Sequence, residues 1–288
     1  MNDQAQGLRN QLNSMDSSKN TKTLAVISGK GGVGKSNFSL NFAISLAKRG
    51  HAVLLFDMDI GMGNLDILMG QTADFTIVDF FNETATLTEI IMKGPNHVDY
   101  IAGGTGLSQF VKLDKEKANR FMRELSTILI HYDYVIFDMG AGASEESLNI
   151  ILSVDEVVVI TTSEPTSITD AYAMMKYIHL LNTTIPFNIV VNRVQTEREG
   201  KETMQRLQTV VKQFLEKETN AIGMIPDDRS IHQAVKRQIP YSLYNENSPA
   251  AKALREITDR YVNEQFNQSQ RSSAFRFVSK LKQFLFER

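Results

Sequence analysis

Residues 29–36 read Gly29-Lys30-Gly31-Gly32-Val33-Gly34-Lys35-Ser36 and stand between a strand-like apolar run, residues 24–27, and a helical stretch, residues 37–48. A glycine-rich loop that leaves a strand and opens a helix is a phosphate cradle. Glycines at 29, 31, 32 and 34 let successive backbone N–H groups turn inward without a Cβ in the way. The anion then rests on the positive end of the helix. Lys35 brings an ammonium to the outer phosphates, and the Ser36 hydroxyl is a ligand for a Mg²⁺ ion bridging them. These eight residues predict a nucleotide-binding strand–loop–helix unit, with Gly29, Lys30, Gly31, Gly32, Val33, Gly34, Lys35 and Ser36 around the phosphates.

Outward from this loop, apolar runs rich in β-branched residues recur at 23–28, 53–57, 134–138, 157–161, 188–192 and 221–225. They read as buried strands. Amphipathic segments of helical length, 38–49, 115–131, 168–181 and 201–217, lie between them. Repeated βαβ units predict an α/β fold with a doubly wound, mainly parallel sheet flanked by helices. Ligands in such sheets sit beyond the carboxyl ends of the strands, where Asp57 and Asp138 are also expected.

With 288 residues and 42% hydrophobic content, the chain is long enough for one large α/β domain with appendages. Its net charge of −2 gives no overall basic field for nucleic acid, so no specific nucleic-acid partner is expected. With no cysteine, disulfides, thiolate metal clusters and iron–sulfur chemistry are excluded, which fits a reducing cytosol. No stretch approaches the ~20 apolar residues that span a bilayer, so a soluble or peripheral protein is expected. Residues 1–20 are polar and read as a flexible arm, 21–262 as the nucleotide-binding P-loop domain, 263–273 as a linker and 274–288 as an amphipathic helix.

Two acidic segments carry the chemistry. Residues 134–142, YVIFDMGAG, end a hydrophobic strand in Asp138 and a small-residue turn; Asp138 is placed to hold the metal through a water, and the backbone at 140–142 to sense a γ-phosphate. Residues 56–70, FDMDIGMGNLDILMG, put Asp57 at a strand end and Asp59 two residues on, with Gly61 and Gly63 freeing the loop to move. Asp57 is assigned to the metal shell and Asp59 to the orientation or deprotonation of the attacking water. Asp66 reads as a turn or capping residue.

The loop also carries a second lysine, Lys30. Together with the DxDxGxGNLD segment at 57–66, DxGAG at 138–142 and VVNRV at 190–194, it makes the chain resemble the MinD/ParA ATPases across residues 21 to about 254. The resemblance implies an ATPase using ATP/ADP and Mg²⁺, in which Lys30 crosses to the ATP of a second copy so that ATP bridges a homodimer. It also implies that Asn192, Arg193, Pro226 and Asp228 hold the adenine. The terminal helix puts Phe275, Phe277, Val278, Leu281, Phe284, Leu285 and Phe286 within about half of a helical wheel, opposite basic residues. Such a face suits the interface of an anionic membrane, which the resemblance implies is reached from the cytoplasm in the ATP state; docking on the protein's own core until ATP releases it is the alternative. The N-terminal DQAQGLR, with Asp3, Gln4, Ala5, Leu8 and Arg9, resembles the activator motif of the FlhG (YlxH/FleN) flagellar branch. That resemblance implies as partners the signal-recognition-type GTPase FlhF and components of the flagellar switch ring. A septum-placing ATPase without such an arm, and a DNA-segregating ATPase, are the alternatives.

Overall fold

The computed structural model describes residues 20–59, 65–103, 115–140, 142, 145–267 and 274–286. The arm residues Asp3, Gln4, Ala5, Leu8 and Arg9, and the loop glycines Gly61 and Gly63, lie outside them.

Eight strands form one sheet: β1 (Lys22–Ile27), β2 (Val53–Met58), β3 (Ile91–Lys93), β4 (Asp99–Ile101), β5 (Tyr134–Met139), β6 (Glu156–Thr161), β7 (Phe187–Val194) and β8 (Asn220–Pro226). Their spatial order is β3-β4-β2-β5-β1-β6-β7-β8, and all pairs are parallel except β3 with β4. The helices are α1 (Lys35–Ala47), α2 (Leu65–Met69), α3 (Ile77–Phe81), α4 (Lys115–Leu129), α5 (Glu145–Ser153), α6 (Pro165–Leu181), α7 (Glu197–Leu215), α8 (Arg229–Lys236), α9 (Tyr241–Tyr244), α10 (Pro249–Asn267) and α11 (Ala274–Phe286). The doubly wound sheet expected from the sequence is present. β3 and β4 extend it beyond β2 through a turn in which Asn96 and His97 take positive φ.

Strands β2, β5 and β6 are buried at every position, because helices cover both faces of the sheet. Alternation along β1 separates the two cores. Leu24 and Val26 join Phe42 of α1 and Leu254 and Tyr261 of α10. Ala25 and Ile27 join Leu125 of α4, Ile151 of α5, Met175 of α6 and Leu207 of α7.

The opposite end of the sheet from the loop is tied by Glu156, a buried carboxylate. It pairs with Lys22 of β1 and accepts hydrogen bonds from Asn188 Nδ2 of β7 at 2.9 Å and Tyr261 OH of α10 at 3.1 Å. One acid thus joins three strands and a helix, and the partners satisfy a charge that burial alone would penalise heavily.

Helix α10 continues to Asn267, into the stretch expected as a linker. The structure places α11 on the core instead of leaving it with a free apolar face. Ala274, Phe277 and Leu281 are buried, and Val278 and Phe284 are partly buried against the same cluster. Phe277 stacks on Phe137 of β5 with centroids 5.1 Å apart. Burying each such side chain contributes roughly 2 kcal/mol, so the docked position is well supported. Phe275 points outward, 47% exposed, while the side chains of Leu285 and Phe286 lie outside the description. No helix among the described residues is long and apolar enough to cross a membrane.

Replacing Glu156 with Ala removes the common acceptor of Lys22, Asn188 and Tyr261. The expected loss is about 3 kcal/mol of unfolding free energy, read as a lower urea midpoint at unchanged slope. An unchanged midpoint would show that the network does not hold the sheet.

Candidate nucleotide site

Residues 28–34 carry the chain from the end of β1 into α1 with a geometry that demands glycine. Gly34 sits at φ +92° as the N-terminal cap of α1, and a Cβ there would lie 2.4 Å from Asn192 Nδ2. A Cβ on Gly29 would lie 2.1 Å from the backbone carbonyl carbon of Asp170, so α6 packs directly on the loop. Asn192, near the end of β7, donates from its Nδ2 to the Val33 carbonyl at 2.7 Å and so ties the loop to a strand two places away in the sheet.

The two strand-end acids meet as expected, because Asp57 of β2 and Asp138 of β5 are register partners. Lys35 is 7% exposed and its Nζ lies 3.0 Å from Asp138 Oδ1. The same oxygen accepts from Ser39 Oγ at 2.7 Å. The other oxygen, Oδ2, is buried with no hydrogen-bond partner. Burial, reinforced by the Asp138 carboxylate alongside, raises Asp57 from 3.8 to about 7, although the Asp59 N–H donates to its Oδ1 at 2.9 Å. Burial also raises Asp59, with Lys35 acting the other way.

Two adjoining cavities lie here, the first reaching Lys35 and Asp59 of this cluster. That one, of about 360 Å³, is lined by Gly31, Gly32, Lys35, Ser36 and Asp59. The other, about 310 Å³, is lined by Phe38, Asn192, Ile225, Asp227, Ile231 and Tyr241. They share Gly34, Asn37, Arg193 and Val235. A glycine- and charge-lined compartment continuing into an apolar one matches phosphates followed by a base. Arg193 stands at their junction in a left-handed conformation, φ +57°, where β7 is irregular against β8.

One sequence expectation, for Asp228, meets a different arrangement at the base end. Asp228 spends its carboxylate on capping, accepting from Ser230 N at 2.8 Å and Ala250 N at 3.1 Å. The acid that lines the cavity is its neighbour Asp227. Pro226 closes β8 just before this turn. Tyr241 and Ser39 were not anticipated; Tyr241 lines the base cavity with a buried, unpartnered hydroxyl. Asp66 lies in the first turn of α2 and accepts from the Ile67 N–H, as its turn reading implies.

Lys30 is engaged within its own chain. Its Nζ lies 2.8 Å from Glu164 Oε2 and 3.3 Å from Thr166 Oγ1, at the start of α6. The hydrogen bond and charge of Lys30 hold the Glu164 carboxyl below its usual range. The pair is exposed, so it is easily exchanged for another partner.

The residues present fit a Mg²⁺ ion. No cluster of three or more His, Cys, Asp or Glu among the described residues could hold a metal unaided, and Mg²⁺ needs none, since it takes one or two carboxylates with phosphates and water. The unpartnered Asp138 Oδ2, the Asp57 carboxyl and the Ser36 hydroxyl supply an oxygen donor set of that kind.

Asp57 therefore costs the unliganded fold stability. Between pH 4 and 7 the folded chain holds a proton on Asp57 that the unfolded chain has released, so stability falls as pH rises through that window and levels off above it. Asp57→Asn should stabilise the ligand-free protein at pH 8 by on the order of 2 kcal/mol, a gain that shrinks toward pH 4. Thermal unfolding across pH 4 to 8 checks this, and a gain independent of pH would contradict it.

A family model described as "ParA: NUBPL iron-transfer P-loop NTPase" matches residues 19–262. The flagellum site-determining protein YlxH of Helicobacter pylori is 35% identical, with 98% of this chain and 92% of that protein covered. Antiactivator FleN of Pseudomonas aeruginosa is 32% identical, with 79% and 81% covered. The septum site-determining protein MinD of Pyrococcus horikoshii, solved with Mg-ADP, shares the fold with a TM-score of 0.70 at 21% identity, covering 87% of this chain and all of that one. Without cysteine, the chain has no means of iron–sulfur ligation. The family match and the two flagellar relatives agree with the loop and the acids it faces: the chain belongs to the ParA/MinD family of P-loop ATPases.

Proposed function

We propose that this ATPase cycles between a nucleotide-free or ADP-bound monomer and an ATP-bound, membrane-attached homodimer, and that it regulates flagellar number and placement in part by activating the GTPase FlhF. The observation that carries the enzymatic part is the buried Lys35–Asp138 pair beside Asp57, opening on a two-compartment cleft. The flagellar assignment rests on the names of the relatives FleN and YlxH.

The residues divide the work by position. Lys35 exchanges Asp138 for the outer phosphates, which carry more charge than one carboxylate. Asp59, half-buried in the lining of the phosphate compartment and with its carboxyl raised by burial, acts as the base that orients water. Bound Mg²⁺ supplies neutralisation of phosphate charge. Lys30 leaves Glu164 and Thr166 to reach the nucleotide of the second copy, using the length of a flexible point charge. In the resting chain α11 hides its apolar face on α4 and α5. Because α5 follows the Gly140–Gly142 turn, γ-phosphate contacts there act on the element that holds α11, and release of that helix exposes Phe277 and Leu281 to an anionic bilayer.

Asp59→Ala is expected to lower ATP turnover at least ~100-fold while the ATP-dependent dimer persists in light scattering. Lys30→Ala should remain monomeric in ATP. Parental turnover by the Asp59 variant would refute its role, and an ATP dimer of the Lys30 variant would refute the crossing.

GTP hydrolysis by purified FlhF should rise on addition of this protein, and should rise less when residues 1–20 are deleted or Gln4 is replaced by Ala. No arm dependence, with ATP-dependent vesicle binding intact, would move the protein toward its septum-placing kin.

A further inference from the structure

Ser39 lies in the interior of α1, one turn beyond Lys35, and is completely buried. A buried serine is a poor choice for a helix interior, where alanine is the better helix former. Its usual compensation is a back-bond to the carbonyl four residues earlier. Here that contact exists, to Lys35 O at 3.1 Å, but the shorter one, 2.7 Å, runs to Asp138 Oδ1. A hydroxyl has one proton, and the charge-assisted bond to a carboxylate is the stronger claim on it.

Asp138 Oδ1 therefore has two donors in the resting site, Lys35 and Ser39, while Oδ2 has none. The two donors differ in kind. Lys35 sits at the end of a long chain and is drawn away once phosphates enter the loop. Ser39 has a short side chain fixed to the helix, with its Oγ 2.7 Å from Asp138 Oδ1, so it has no comparable reach to follow the phosphates. We propose that Ser39 is a positioning residue for the metal site: it holds Asp138 Oδ1 after Lys35 has turned to the nucleotide, and so keeps Oδ2 directed to Mg²⁺ or its water shell. Losing this hydroxyl leaves the carboxylate free to rotate and its buried oxygen unsatisfied, which weakens the metal without touching the nucleotide.

This inference rests on the nucleotide reading above, and one titration separates the two. Binding of N-methylanthraniloyl-ADP to the full chain is followed by fluorescence, first without Mg²⁺ and then over a series of MgCl₂ concentrations, for the parent, Ser39→Ala and Ser39→Cys. In Ser39→Ala the metal-free affinity should stay within about twofold of the parent, and the Mg²⁺ concentration giving half of the metal-dependent gain should rise about tenfold. Ser39→Cys, which keeps a weak donor of similar shape, should fall between, and it carries the test if the alanine variant does not fold. An unchanged Mg²⁺ midpoint, or equal losses with and without Mg²⁺, would overturn the positioning role. No binding by the parent at any Mg²⁺ concentration would overturn the nucleotide reading itself, and the inference with it.

Discussion

Two carboxylates buried side by side at the carboxyl edge of a parallel sheet repel each other, and the site is organised around that repulsion. Asp57 and Asp138 are register partners on β2 and β5, and Lys35 brings a compensating charge to them in the resting chain. One acid holds the lysine on a single oxygen, and the other is driven up to about 7. This arrangement is poor for stability and well suited to binding, because a divalent cation relieves the repulsion while phosphates take over the lysine. The cost is carried by the rest of the domain, where two apolar cores and the Glu156 network hold the strands at their far end.

The same edge connects to everything that is expected to move. Lys30 leaves the loop near its start and is held by Glu164, the N-cap residue just before α6. The backbone after Asp138 leads into α5, on which α11 rests. In the proposed cycle, changes in charge at the phosphates would reach Lys30 through a single exposed ion pair, and the terminal helix through one packed helix. Neither route requires a long chain of intermediaries. A small electrostatic event at such a junction selects between discrete packings.

Much of this was legible in the chain itself. The glycine loop, the strand before it and the acids at two further strand ends depend on local patterns, and the structure brings them together. Strands β3 and β4 were missed because three residues cannot display a period of two. Asp227 and Asp228 are adjacent and chemically identical, so only the hydrogen bonds to Ser230 and Ala250 show which one caps and which one lines the cavity. Ser39 carries no local signal in the sequence, because only the fold sets Asp138 against it. The terminal helix displays its apolar face in the sequence, but what covers that face, Phe137 among others, depends on residues more than a hundred positions away.

The most direct test of the charge cluster is calorimetry of Mg²⁺·ADP binding near pH 7 in buffers of different ionisation enthalpy. If Asp57 is held partly protonated by its neighbours and is ionised by the incoming cation, binding releases a proton into the buffer near pH 7. That release fades by pH 8 to 9 and is absent in Asp57→Asn. Binding enthalpies independent of the buffer at pH 7, or a release unchanged in Asp57→Asn, would mean that the paired acids do not govern the site.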